Sequence, residues 1–420
     1  MGNLFDYAVV YKIEAISKTP LRTGNQNNDV EEILCYKDGT AFIQGNSISG
    51  ACRNWLEENQ YEKEADILFG NEEREGHLII SDGVFEEKAV CESRPGIAID
   101  EHTGTVGAKK KFDTLHIVSG QKMNFKIVWL GKDNEKEQMQ QVEKMLSAIH
   151  TGNIRLGAKK TNGFGQFALK VCKREYDLKK QADREEWLSN QYTGKEIELL
   201  PVQEKARMEF VLTGKADAVL VKAAAPKHSE KDSCIRNIME GKAAVIPGSS
   251  IKGAVRARVK AIVSLLGIQE SIVEEMFGSS VDTQAEPRAG QVYFEDMIVD
   301  REKKEKITRI RIDRFTGGVM RKGLFAEEPL STDVKIRIIA EDKPEYGMLL
   351  LYALRDLAAG LYNIGSNGSI GRGYFTVDRI HITDGKGRKA ALVFDKEANS
   401  ICEGEEEILK EWSEALEERL

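Results

Sequence analysis

The chain has 420 residues, 41% hydrophobic and 31% charged, with a formal net charge of −7; this ordinary soluble balance is long enough for two or three domains that each bury a core. No apolar run approaches the ~18 residues that span a bilayer, so no membrane partner is expected, and the opening MGNLFDYAVVYKIEAIS reads as a strand in place of a signal peptide. Six scattered cysteines, with no Cys-x-x-Cys pair and no histidine at zinc spacing, exclude a zinc site and predict reduced thiols in a cytoplasmic protein.

From the N-terminus, YAVVYKIEAI has the apolar pattern of a strand. IQGNSISGACRNWL at 43–56 is a turn entering a helix, and the helical region closes on Phe-Gly at Gly70. GHLIISD at 76–82 is the next strand. A long insertion at 94–115 follows, whose D-x-x-T-G turn predicts a projecting β-hairpin. EQMQQVEKMLSAIH is a second helix, running through the glycine loop TNGFGQF at 161–167 into a closing strand. The highly charged stretch from 173 to 206 reads as a helix plus linker.

The same features then recur in the same order, about 200 residues later. RMEFVLTGKA is the strand, IPGSSIKGAVRARV at 246–259 the turn and helix, and Gly278 the Phe-Gly close. GQVYFED at 290–296, the inserted hairpin 301–324, EYGMLLLYALRDLAAGL and SIGRGYF at 369–375 complete the copy. The chain is therefore a tandem duplication. Its predicted divisions are a first domain over 1–178, a charged linker over 179–205, a second domain over 206–394 and an acidic C-terminal helix over 395–420. Each copy has the βαββαβ order of an α+β ferredoxin-like fold, the frame also used by RNA-recognition modules.

Charge is segregated along this frame. Residues 403–420 hold eight Glu against one Lys and one Arg, whereas 301–324 hold nine Lys or Arg against three acids. A polyanion responds to the local patch, so the net charge does not exclude nucleic acid. Ser249 or Ser250 stands where a helix N-cap belongs, and the first turn of that helix is a ready anion site. Lys252, Arg256 and Lys260 recur at i, i+4 and i+8 as a cationic stripe. Copy one keeps Ser47, Ser49 and Arg53 but not the other cations. The bland alternative is a capped helix with a solvated basic face. GSNGSIGRG at 365–373 is glycine-rich, yet a helix enters it and a strand leaves, the reverse of a dinucleotide-binding loop. Glycines flanked by Lys159 and Lys160, or by Arg372, fit a polynucleotide backbone, or else a tight helix–strand connection.

The IPGSSIKGAVR helix, the Phe-Gly close and the terminal G-x-G loop resemble the Repeat-Associated Mysterious Protein (RAMP) superfamily of CRISPR effector complexes, over both copies. The resemblance implies a natural fusion of two backbone subunits of a type III, RNA-targeting complex. It implies as partners a CRISPR guide RNA, a single-stranded target RNA and other CRISPR effector subunits. The sheet and serine helix would hold guide RNA, and the hairpin, or thumb, would wedge into the guide–target duplex and splay out a nucleotide. Carried onto this sequence, the RNA-binding set is Ser47, Ser49, Arg53, Lys109, Lys110, Lys159, Lys160, Asn162 and Phe164 in copy one. In copy two it is Ser249, Ser250, Lys252, Arg256, Arg314, Arg321, Ser369 and Arg372.

Active members carry an aspartate on the loop before the serine helix. Here Asp232 stands sixteen residues before Gly248, and Asp29 sixteen before Gly45. A carboxylate beside a splayed phosphodiester can hold hydrated Mg²⁺ or a similar divalent cation, or help deprotonate a 2′-hydroxyl for in-line attack. Both aspartates are thus candidate catalytic and metal-binding residues, Asp232 the stronger from its DSCIR context. His228 has no counterpart in copy one and reads as incidental. Asp82 and Asp296 share one strand end in both copies and are expected to cap a turn. Two other readings remain: a non-catalytic guide-binding scaffold, and a guide-precursor processing endoribonuclease. The last fits poorly, since both halves carry the loop and the first 60 residues lack histidine.

Overall fold

Strand Tyr7–Ser17 alternates as its sequence predicts: Val9, Tyr11, Ile13 and Ala15 face a core, while Lys12 is exposed on the other side. The computed structural model describes residues 5–24, 33–99, 106–190, 192–201, 206–221, 234–279, 288–299, 303–304 and 306–420. Two units emerge, and neither is one contiguous stretch. The first comprises Met1–Ser93, Thr114–Lys160 and Phe164–Lys205; the second comprises Arg94–Asp113, Thr161–Gly163 and Ala206–Leu420.

In the first unit Tyr7–Ser17 lies between two antiparallel neighbours, with Tyr7 opposite Gly131 in Lys122–Gly131 and opposite Asp177 in Phe167–Asp177. Strand Gly83–Phe85 adds beyond Lys122–Gly131. The four main strands therefore run second–third–first–fourth across the sheet, the ferredoxin-like order. Helices Gly45–Glu58 and Gln138–Thr151 bury Trp55, Leu56, Met145 and Leu146 against one face. The charged stretch beyond 178 forms helix Gln181–Ser189 and strand Lys195–Ile197, which pairs with the closing strand at Val171 and Ile197. Trp187 and Tyr192 from this stretch pack with Ala8, Val10, Val128 and Tyr176 on the sheet's second face.

The second unit repeats the order around Arg207–Val219, flanked by Leu330–Glu341 (Arg207 opposite Glu341) and Tyr374–Thr383 (Glu209 opposite Thr383). Strand Val292–Phe294 joins one edge, and Lys389–Phe394 with Ser400–Gly404 extends the other. Helices Gly248–Leu266 and Pro344–Ala358 supply the core layer. The acidic C-terminal segment is helix Glu407–Glu417, which buries Ile408, Trp412 and Leu416 at i, i+4 and i+8.

Both insertions form hairpins. Cys91–Ile99 and Val106–Ile117 make a two-stranded sheet. Ile307–Ile312 pairs with Val319–Glu327, and the Asp313 carboxylate accepts the backbone N–H groups of Phe315 and Thr316 to hold the turn. Among the described residues, no helix is long and apolar enough to cross a membrane.

Candidate nucleic-acid interface

The two serine helices begin differently from the expectation. Ser249 and Ser250 are not N-caps: the helix starts at Gly248, with Pro247 at the cap position and no side-chain cap of its own. The Pro-Gly turn starts the helix before the serines and sets them in its first turn. Gly248 is required because a Cβ there would collide with the Phe294 carbonyl oxygen. Its N–H is instead taken by the Asp296 carboxylate at 2.7 Å. In the first unit Asp82 does the same for Gly45 at 2.8 Å, from the same strand end. Asp82 and Asp296, expected to cap a turn, cap these helices from across the chain. At the positive end of each helix dipole, one backbone N–H is thus taken by a carboxylate of the chain itself. Ser47 and Ser249 remain exposed, while the Ser49 hydroxyl donates to the Gly45 carbonyl at 2.8 Å.

The second partner of each carboxylate differs. Asp82 accepts the Tyr36 hydroxyl at 2.8 Å in an exposed position. The Asp296 side chain is buried and accepts Arg94 at 2.7 Å, and Arg94 also reaches Glu240 at 3.1 Å. Burial pushes the Asp296 carboxyl above the usual carboxylate range, opposed by the Arg94 charge and the Gly248 N–H.

The cationic stripe is largely engaged by the protein itself. Arg256 donates to the Gly278 carbonyl at 3.1 Å, and Arg53 to the Gly70 carbonyl at 2.9 Å. Each arginine ties its serine helix to the Phe-Gly close of the next helix, where Gly70 (φ +81°) and Gly278 (φ +90°) turn the chain. Arg53 also pairs with Glu57 and Asp66, and Lys260 with Glu270. Lys252 donates to the Thr161 hydroxyl at 2.9 Å, and burial, with a smaller contribution from the Arg256 charge, lowers its pKa to about 8.

The glycine loops divide similarly. Lys159 donates to the Thr114 hydroxyl at 2.5 Å, and burial lowers the pKa of Lys160. Asn162 ends a short turn, and Phe164 is buried against the His116 ring, so its face is not offered to a base. Ser369 is exposed. Arg372, expected at a phosphate, is only 2% exposed and donates to the equally buried Glu327 at 2.8 Å. Its charge is consumed inside the fold, because the loop folds the side chain back beneath the hairpin base.

Lys109 and Lys110 lie on strand Val106–Ile117. Arg314 and Arg321 are exposed on the second hairpin. Phe315, at the hairpin tip, is 99% exposed, with Ile312 and Val319 beside it also exposed. The sequence reading missed it, although an aromatic residue inside the D-R-F-T-G turn was the available signal. Asp29, Asp232 and His228 lie outside the described residues. The described chain resumes at strand Cys234–Ile235, parallel to Ala326–Glu327 of the hairpin.

On the first unit's sheet, an open groove of about 930 Å³ is lined by Lys12, Asn124, Lys126, Lys170, Tyr36 and Tyr192, among others. Lys12 and Lys126 are cross-strand partners, and both ammonium groups lie over the Tyr192 ring at 5.6 and 5.4 Å.

The family model of the RAMP superfamily matches residues 14–168 and 235–376. Among solved structures, the chain is similar to one in the cryo-EM structure of the Type III-B Cmr-beta bound to cognate target RNA, at 20% identity and a TM-score of 0.33. That match covers 40% of this chain and 61% of the other, so the chain spans less than two thirds of that relative. No curated protein sequence matches.

Proposed function

The chain belongs to the RAMP superfamily, and from that premise we propose that it is a double backbone subunit of a type III CRISPR complex, binding guide RNA and cutting the paired target RNA. The observation that carries this reading is a repeated apparatus: in both units an aspartate-capped serine helix sits on a ferredoxin-like sheet, and the chain carries two inserted hairpins. On the second hairpin, Arg314 and Arg321 are exposed around the uncovered ring of Phe315. Arginines suit phosphates, and an apolar wedge between bases unstacks them.

In this proposal Asp232 and Asp29 each stand beside a phosphodiester exposed by that unstacking. Each carboxylate helps remove the proton of the adjacent 2′-hydroxyl, whose oxygen attacks the phosphorus in line as the P–O5′ bond breaks, leaving a 2′,3′-cyclic phosphate and a 5′-hydroxyl that takes up a proton from water. A divalent cation such as Mg²⁺, held by Asp232 or Asp29, would supply neutralisation of the charge that develops on the phosphate. Lys12, Lys126 and Lys170 of the open groove add positive charge along the first unit's sheet, where guide RNA is proposed to run.

The test uses the assembled complex with guide and end-labelled target RNA. Asp232→Ala should abolish one cut and Asp29→Ala the other, with assembly intact; EDTA should abolish both. Unchanged cutting by Asp232→Ala would overturn its assignment. Tight target binding with no cutting by the unaltered complex would leave the scaffold reading in its place.

A further inference from the structure

Thr23 and Asn237 are polar side chains only 3% and 5% exposed, and no step above uses either. Each stands at one end of a segment that carries a candidate aspartate: Thr23 precedes Asp29, and Asn237 follows Asp232. We propose that Thr23 and Asn237 are positioning residues, clasps that close the base of each aspartate segment and so fix its carboxylate against the phosphodiester it serves. The inference rests on the cleavage reading above and adds residues that reading does not contain.

The need for a clasp arises where the first strand of the second unit ends. Val221 lies beyond strand Arg207–Val219 and is buried, so its N–H cannot turn to water and needs a partner inside the fold. The Asn237 Oδ1 accepts it at 2.6 Å, while Nδ2 donates to the Val219 carbonyl at 3.2 Å and the Glu328 carbonyl at 3.3 Å. The amide oxygen and both amide hydrogens are thereby used. The Ile238 N–H adds a backbone bond to the Val221 carbonyl at 3.0 Å. An apolar side chain of similar size could pack among Val219, Val221 and Ile238, but it would make none of the three amide bonds.

Copy one closes the same place by a different bond. Its Leu34 corresponds to Ile238, since Phe42 donates to the Leu34 carbonyl at 3.1 Å as Val245 does to Ile238 at 2.9 Å. The Leu34 N–H then donates to the Thr23 hydroxyl at 3.0 Å, where Ile238 uses a backbone carbonyl. At the entry to each segment the glycine loop holds the chain: Ala158 donates to the Arg22 carbonyl and Ser366 to the Leu220 carbonyl, each at 2.9 Å. The same closure is thus made twice by different side chains. Its recurrence points to the closure itself as the feature kept, and what each closure encloses is an aspartate.

Asn237 also joins its segment to the hairpin, because Glu328 directly follows strand Val319–Glu327. The Glu328 N–H returns a bond to the Ile235 carbonyl at 2.9 Å. The element proposed to unstack the target and the segment proposed to supply the carboxylate therefore share one anchor. In-line attack needs that alignment, since a displacement of ~1 Å can cost ~10²-fold in rate. Asp232 precedes Asn237 by five residues, a reach of at most about 18 Å, so play at the base is passed on to the carboxylate.

The test uses the assembled complex with guide and end-labelled target RNA, read as single-turnover rates at saturating target. Asn237→Leu should slow the cut assigned to Asp232 about 10–100-fold and leave the Asp29 cut and the affinity for target unchanged. Thr23→Val should do the converse, and Thr23→Ser, which keeps the hydroxyl, should restore the Asp29 cut. Each chain carries its own control, because lost folding would lower both cuts together. Equal slowing of both cuts by Asn237→Leu, or cutting at the unaltered rate, would overturn the positioning role. If Asn237→Leu does not assemble, the Thr23 variants decide, and equal rates for Thr23→Val and Thr23→Ser count against the clasp. An unaltered complex that cuts nowhere would sink the cleavage reading and the clasp's role with it. Normal cutting that ignores both substitutions would sink the clasp alone.

Discussion

Asp82 and Asp296 perform one task at two depths, and their difference sets a measurable contrast. Both accept the first N–H of a serine helix. The Asp82 carboxylate otherwise accepts the hydroxyl of the exposed Tyr36, so Asp82→Ala should cost about 0.5–2 kcal/mol, as for other lost caps. Asp296→Ala would remove the cap and also one of the two carboxylates that hold the buried Arg94, leaving Glu240 as its partner, and should cost about 2–5 kcal/mol. Urea unfolding of the two variants should rank them in that order; equal losses would mean that Arg94 contributes nothing beyond the cap. Lys252 sets a second contrast. With its pKa held near 8 by burial, it is increasingly neutral above that pH. A phosphate favours the ammonium form, so RNA affinity should fall as pH rises through about 8, and Lys252→Arg should flatten the dependence. The stability of the free protein should move the opposite way. Between about 8 and the ordinary lysine value the unfolded chain binds more protons, so this group makes stability rise with pH. A pH-independent affinity in the unaltered protein would remove Lys252 from the RNA contact.

At the scale of elements, the charged segments turn out to be packing devices. Helix Glu407–Glu417 carries acids on its outer face, but Trp412 is buried against the Phe210 ring and over Gly347. Glu411 on the same helix is held to a pKa of about 2 by hydrogen bonds from Arg388 and Lys386. Trp412→Ala should destabilise the second unit by about 3–5 kcal/mol. Gly347→Ala should cost about 1–3 kcal/mol by overpacking, since a Cβ would meet the indole ring at 2.7 Å. Thermal melts of both variants check this, and an unaffected midpoint for Trp412→Ala would make the helix a mere appendage. Helix Gln181–Ser189 has the same character: its sequence is highly charged, yet Trp187 helps close the second face of the first sheet. Periodic acids and bases dominate the composition of such segments, while one tryptophan decides where they dock.

For the whole molecule, the net charge of −7 conceals a division of labour. Acids gather on the C-terminal helix and cations on the second hairpin, where Arg314 and Arg321 are exposed. Duplication supplies two versions of one fold, and the copies differ in the hairpin sequences and in the second partner of the capping aspartate. The fold was legible because its signals are local: alternating strands, capped turns, glycine closes and their repetition at one spacing. The site was legible only in part. The sequence showed that Arg53, Arg256 and Arg372 carry charge on the right elements, but not that Gly70, Gly278 and Glu327 already hold them.

The sequence by itself determined the duplication, the βαββαβ order of each copy and the hairpins, since each follows from periodicity and turn chemistry within a few residues. The tertiary structure decided which charges are spent. An arginine on a helix face becomes a phosphate contact or a strut according to which carbonyl or carboxylate, distant in sequence, folds against it. The Asn237 clasp likewise exists only because Val219, Val221 and the hairpin's exit at Glu328 converge on it across more than a hundred residues of chain.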